Sequence, residues 1–206
     1  MKNILSDLDG VIFMTYVVIQ EILKDEVLCK KLGINPPPID LDKDRLENVS
    51  WHWAHELWEA LVTNNIPLPY YKYAVWVLQL LDQEYNLQFY TGRDAIAIEY
   101  TRKSLQKLLG RDDFRLHYAT AHGNSEVYLA KKLAIIKKVN PYIIIEDDPA
   151  MINTILREFP NIKVIRHFNY PYNLHGKPQD VQYEICNNWL EIFYKIKELT
   201  KKKRGG

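Results

Sequence analysis

Cysteine is scarce in this chain. Cys29 and Cys186 are the only two in 206 residues, and they lie far apart in no metal-type spacing. Both fall in helix-like patterns and read as buried thiols of a reducing compartment. Net charge is lacking too: Lys+Arg 27 against Asp+Glu 26 leaves +1, so no overall field recruits nucleic acid or an anionic membrane. The exception is the basic tail, residues 201–206, expected as a disordered, solvated end with a weak phosphate-attracting arm as the alternative. No run reaches about 18 apolar residues. The amino terminus opens as a strand and not as a signal peptide, so the expectation is a soluble, cytoplasmic protein with no membrane partner. No internal repeat is visible.

What the chain does have is 47% apolar residues, enough for one sizeable core plus a modest insertion. Directly after the apolar pair Ile4-Leu5 stands Asp7-Leu8-Asp9-Gly10-Val11. Alternate side chains of a strand share a face, so Asp7 and Asp9 can project into one pocket as the strand ends, and Gly10 lets the backbone leave sharply. Acidic pairs at strand ends are also common as helix caps or solvated turns, and their meaning depends on the rest of the chain.

Four further short apolar runs, residues 87–90, 114–118, 142–145 and 162–165, read as buried strands separated by segments of helical periodicity. This alternation predicts an α/β fold: a Rossmann-like parallel sheet with helices on both faces, its site beyond the carboxyl ends of the strands. Polar clusters stand at those ends. Thr91-Gly92-Arg93-Asp94 follows the second run and Glu146-Asp147-Asp148-Pro149 follows the fourth. Residues 13–73 break the alternation. They carry helical stripes over residues 15–32 and through Trp51, Ala54, Trp58 and Leu61, with Ser50 as a candidate cap and the stiff Asn35-Pro36-Pro37-Pro38 between. The expected organisation is a catalytic core over 1–12 and 74–200, with a helical cap of 13–73 roofing the pocket.

Three clusters converging at strand ends suit phosphate-ester chemistry. Asp7, first off the strand, is expected as nucleophile; Asp9 as general acid on the leaving oxygen and then as base for water. Thr91 and the Gly92 amide are expected to hold phosphate oxygens from a turn that opens a helix. Three adjacent acids at 146–148 repel one another unless a cation sits among them, and Mg²⁺ is the natural choice. Asp148 is also a candidate helix cap. A cation is still needed to screen the phosphate, with Lys131, Lys132, Lys137 and Lys138 as candidates. Arg93 stands open between a structural role and a substrate contact.

Together these residues resemble the haloacid dehalogenase-like superfamily of phosphatases, over essentially the whole chain. The second aspartate of the first motif, Asp9, marks phosphatases there and argues against carbon–halogen chemistry. The resemblance implies Mg²⁺ held by Asp7, Asp9 through its backbone carbonyl, and Asp147, with Glu146 and Asp148 supporting from behind. Lys132, followed by Ile135, Ile136 and Val139 and lying 15 residues before Asp147, resembles the family's third-motif lysine. At the carboxyl end, Pro171-Tyr172-Asn173 and Trp189-Leu190-Glu191-Ile192 are similar to segments of the 5'(3')-deoxyribonucleotidase-like branch, which carries a small helical cap after the first strand. That likeness implies a nucleotide substrate, with Phe13, Tyr16, Trp51 and Trp53 as candidates to stack on a base. Glu146 departs from the branch, whose members carry Asp there. The alternatives are a phosphatase of nucleic-acid 3' ends, which the neutral charge disfavours, and a protein that binds a phosphorylated ligand without turning it over.

Overall fold

A computed structural model describes residues 1–34, 51–120, 125–167 and 183–201, with the side chains of 51–54 and 125 outside that set. The strands are β1 (Asn3–Ser6), β2 (Asn86–Thr91), β3 (Arg115–Tyr118), β4 (Ile143–Glu146), β5 (Lys163–His167) and β6 (Glu184–Cys186). They form one parallel sheet in the order β3-β2-β1-β4-β5-β6. The five expected strands are all present. The sixth, three residues long, was not expected: Glu184-Ile185-Cys186 is too short to carry a period. Cys186 therefore lies on an edge strand and not in a helix, while Cys29 is helical; both are free and buried.

The sheet is covered on both faces, which is why β4 can be an unbroken Ile143-Ile144-Ile145 run. Alternate residues feed two cores. Leu87, Phe89, Ile143, Ile145 and Ile165 pack against helices α4 (Ala74–Glu84), α5 (Ile98–Leu109) and α8 (Trp189–Thr200). Leu5, Tyr90, Ile144 and Val164 face α6 (Ser125–Val139) and α7 (Pro149–Glu158).

Between β1 and β2 run α1 (Thr15–Lys24), α2 (Glu26–Leu32) and α3 (Trp51–Thr63). The stripe over 15–32 is two helices because Asp25 adopts an extended conformation and caps the second, its carboxylate accepting from the Leu28 N–H at 2.9 Å. Tyr16, Ile19, Ile22, Leu57 and Leu61 belong to the same buried core as Leu87 and Phe89, so these helices share apolar packing with the sheet face. The chain enters and leaves this region side by side, with Met14 N–H donating to Pro69 at 2.7 Å and Tyr71 N–H to Ile12 at 3.0 Å. Residues 35–50, 168–182 and 202–206 lie outside the described residues, and with them Ser50, the Pro36–Pro38 break, the Pro171-Tyr172-Asn173 segment and most of the basic tail. No described helix is long and apolar enough to cross a membrane.

Candidate active site

Strand register builds the centre. Ser6 pairs with Phe89 on one side and Ile145 on the other, and the Asp7 N–H extends the ladder to the Ile145 carbonyl at 2.9 Å. One step further, Asp7 comes level with Tyr90 and Glu146. In a parallel sheet residues in register point the same way, so these three side chains form a row on the face covered by α6. Lys132 reaches down from that helix. It is buried among Leu129, Leu133 and Ile136, and its Nζ lies 3.1 Å from Asp7 Oδ1 and 3.2 Å from Glu146 Oε2. The rings of Tyr90 and Tyr128 stand 4.7 and 5.2 Å from the ammonium. Of the four candidate lysines, Lys131 bonds the Thr120 carbonyl at the surface and Lys137 and Lys138 are exposed.

Oxygens of Asp7, Glu146 and Asp147 lie within 4.8 Å of one another, all three side chains buried. Glu146 is the best satisfied. Its Oε2 accepts from Lys132 and the Tyr90 hydroxyl, and its Oε1 from the N–H groups of Asp147 at 3.1 Å and Asp148 at 3.3 Å. A carboxylate has about four lone-pair sites, so Glu146 is saturated and its role is to hold Lys132. Burial raises its pKa, but Lys132 and these hydrogen bonds outweigh that and keep it below the ordinary value. Burial lifts Asp7 well above the usual carboxylate range; Lys132 opposes this, and the nearby Glu146 and Asp9 add to it. For Lys132 burial works against the charge, yet Asp7 and Glu146 raise its pKa well above normal.

With all three acids ionised, Lys132 offsets one charge and leaves two. That remainder, on hard oxygen donors, fits a divalent cation such as Mg²⁺, which Asp7 and Asp147 would hold. Asp148 takes the helix-cap role expected of it: its carboxylate accepts from Ala150 N–H at 2.8 Å and caps α7.

Asp9 leaves the row. Arg93 clasps its half-buried carboxylate, Nε at 2.9 Å from Oδ2 and Nη2 at 2.8 Å from Oδ1, and the Thr15 hydroxyl donates to Oδ1 as well. Desolvation works to raise the Asp9 pKa, but Arg93 and Thr15 outweigh it and hold it below the usual value. Arg93 itself is buried. Its Nη1 donates to Thr101 at 3.1 Å, and the rings of Phe13 and Trp58 lie 4.8 Å from the guanidinium. Every side-chain nitrogen of Arg93 is thus engaged within the protein, the arrangement expected of its structural role. Phe13, 1% exposed, is likewise core in place of a stacking surface, and so is Tyr16. The side chains of Trp51 and Trp53 lie outside the described set.

Thr91 ends β2, fully buried, with its hydroxyl accepting from Arg93 N–H at 3.2 Å. At Gly92 an added Cβ would lie 2.2 Å from the Tyr128 ring, so glycine is required for that ring to close over Lys132. The helix expected after Gly92 begins with a 3-10 turn, Ala95–Ala97, capped by Asp94. Sequence reasoning missed Tyr90, Thr15, Trp58 and Tyr128. Only Tyr90 carried a signal, as a hydroxyl in an otherwise buried strand immediately before Thr91. A cavity of about 480 Å³ also opens at the opposite end of the strands, but Arg111 there is already paired with Asp82 and Asp113.

No protein-family model matches the sequence, and no curated protein matches it. Solved structures do resemble it. A haloacid dehalogenase-like hydrolase assigned in Burkholderia xenovorans superposes with a TM-score of 0.66 at 8% identity, covering 97% of this chain and 98% of that one. A hydrolase from Pseudomonas syringae gives 0.63 at 14% identity over 98% and 100%. A protein from Lactobacillus plantarum assigned as a phosphoglycolate phosphatase gives 0.63 at 16% over 96% and 98%. The fold is thus that of haloacid dehalogenase-like hydrolases.

Proposed function

We propose that the protein is a Mg²⁺-dependent hydrolase of small phosphomonoesters, acting through an aspartyl-phosphate on Asp7, with 5'-nucleotides or deoxynucleotides as its substrates. The observation that carries this reading is the row Asp7–Tyr90–Glu146 bridged by Lys132, with Asp147 beside it. A nucleophile, a buried cation and, with the acids ionised, two uncompensated negative charges occupy one point at the carboxyl ends of the strands. The fold shared with a protein assigned as a phosphoglycolate phosphatase adds to it.

Asp7 attacks phosphorus in line, and the leaving oxygen departs to the other side. Lys132, fixed by Glu146, screens charge on the phosphoryl oxygens, while the Thr91 hydroxyl and the Gly92 N–H take the rest. Bound Mg²⁺ would supply the charge that keeps Asp7 ionised and draws the phosphate against it. The Asp9 carboxylate, held ionised by Arg93 and Thr15, is set to take the proton of the water that cleaves the aspartyl-phosphate. To protonate the leaving oxygen in the first step it must first separate from Arg93 and take up a proton from solvent. The helical cap, residues 13–73, roofs the site and selects the leaving group. The nucleotide preference rests on the likeness of the carboxyl-terminal segments to deoxyribonucleotidases.

Phosphate release is to be measured over nucleoside 5'- and 3'-monophosphates, phosphoglycolate, sugar phosphates and a 3'-phosphorylated oligonucleotide. We expect turnover of a mononucleotide that stops with EDTA and with Asp7→Asn. Full activity of that variant sinks the mechanism; preference for the oligonucleotide, or tight binding of ligand without release, replaces the substrate reading or the enzyme reading respectively.

A further inference from the structure

Three consecutive carbonyls follow Asp9, and each meets a donor from a different part of the chain. Gly10 accepts from His167 Nδ1 at 2.8 Å, Val11 from Trp189 Nε1 at 2.8 Å, and Ile12 from the Tyr71 N–H at 3.0 Å. This stretch is neither helix nor strand, yet Val11, Ile12, His167 and Trp189 are all fully buried. Without these donors its carbonyls would be desolvated and unpaired. The stretch's own N–H groups turn inward, Gly10 to Phe13 at 3.0 Å and Ile12 and Phe13 to Leu8 at 2.8 and 2.9 Å.

A carbonyl only accepts, so His167 carries its hydrogen on Nδ1. Burial pushes its pKa down, which keeps the ring neutral, and the Tyr71 ring packs edge-on against it with centroids 4.4 Å apart. Gly10 stands at φ 75, where glycine has little preference of its own. The orientation of the peptide just after Asp9 is therefore set from outside, by two rings more than 150 residues away in sequence.

We propose that His167 and Trp189 are positioning residues, their ring N–H groups holding the Gly10 and Val11 carbonyls so that the Asp7–Asp9 loop presents its carboxylates to the site. The turnover readout rests on the phosphatase reading above; the structural readout does not. Trp189→Phe keeps a packed ring and loses the N–H, His167→Leu loses the donor, and His167→Asn keeps an N–H near the place of Nδ1. Turnover is measured alongside hydrogen exchange at the amides of Gly10, Ile12 and Phe13, with Ile144 and Ile145 in β4 as internal reference.

In Trp189→Phe and His167→Leu we expect kcat to fall about 10- to 100-fold with KM near the parent value. The loop amides should exchange faster while the β4 amides do not, and His167→Asn should recover most of the loss. Parent-like kcat and loop exchange in both variants overturn the proposal, as does a His167→Asn protein no better than His167→Leu. Trp189→Phe decides if His167→Leu does not fold. If the parent releases no phosphate from any substrate, the phosphatase reading falls and loop exchange alone decides this one.

Discussion

Lys132 is the residue on which the charge arrangement turns. Its side chain is 3% exposed between two carboxylates at 3.1 and 3.2 Å. Removing it strands Asp7 and Glu146 in a buried site, so Lys132→Met should cost about 3–5 kcal/mol in chemical denaturation and abolish turnover. Stability within experimental error of the parent would show that the two acids are not held by this pair. Gly92 gives a second test at this scale. Gly92→Ala forces a Cβ into the Tyr128 ring and should cost about 1–3 kcal/mol, a penalty that Tyr128→Ala relieves in a double-mutant cycle. Additive losses would mean the ring moves freely aside. Asp7 and the acids at 146–148 were legible in the sequence because each follows a strand, whereas Lys132 among the four lysines and Asp147 among the three acids were singled out by the family resemblance alone. Thr15, Trp58 and Tyr128 were not legible, since nothing local distinguishes a hydroxyl that meets Asp9 or a ring that packs on Arg93 from ordinary core.

The helices show where one residue's place in an element decides between two roles. Asp147 and Asp148 are adjacent acids in the sequence, yet Asp148 belongs to α7 as its cap and Asp147 faces the cluster. Asp148→Ala should therefore lower stability by about 1 kcal/mol with the Mg²⁺ requirement intact, whereas Asp147→Asn should weaken the Mg²⁺ dependence of turnover at least tenfold. Equal effects of the two on the Mg²⁺ titration would reject this division. The same logic explains α6: the stripe Leu129, Lys132, Leu133 and Ile136 is an apolar face with one charge in it. That pattern alone does not say whether the charge is buried, and the acids beneath it decide.

Across the whole molecule, the insert and the sheet are joined by more than apolar packing. His55 Nδ1 of α3 lies 3.0 Å from the Asp94 carboxylate beyond β2. That hydrogen bond and charge raise the His55 pKa above its ordinary 6.5 against a small opposing effect of burial, and Glu56 and Glu59 add to it. Because the folded pKa is raised, the contribution is complete below about 6.5 and is lost as pH climbs through the folded value. His55→Gln should thus melt below the parent at about pH 6 and together with it at about pH 9; a gap that persists at high pH would rule out the ion pair as its source. Mg²⁺ should likewise raise the melting temperature of the parent by mass action and leave Asp147→Asn nearly unmoved, as differential scanning calorimetry can check. The sequence by itself determined the parallel sheet with helices on both faces and the polar residues at its strand ends, because buried β-branched runs and helical stripes are local patterns whose periods survive any tertiary context. Only the tertiary structure decided that Asp9 rests against Arg93, that Glu146 meets Lys132, and that His167 and Trp189 reach back to the loop after Asp9. Those roles follow from which buried donor meets which buried acceptor across long stretches of chain, and no period records that.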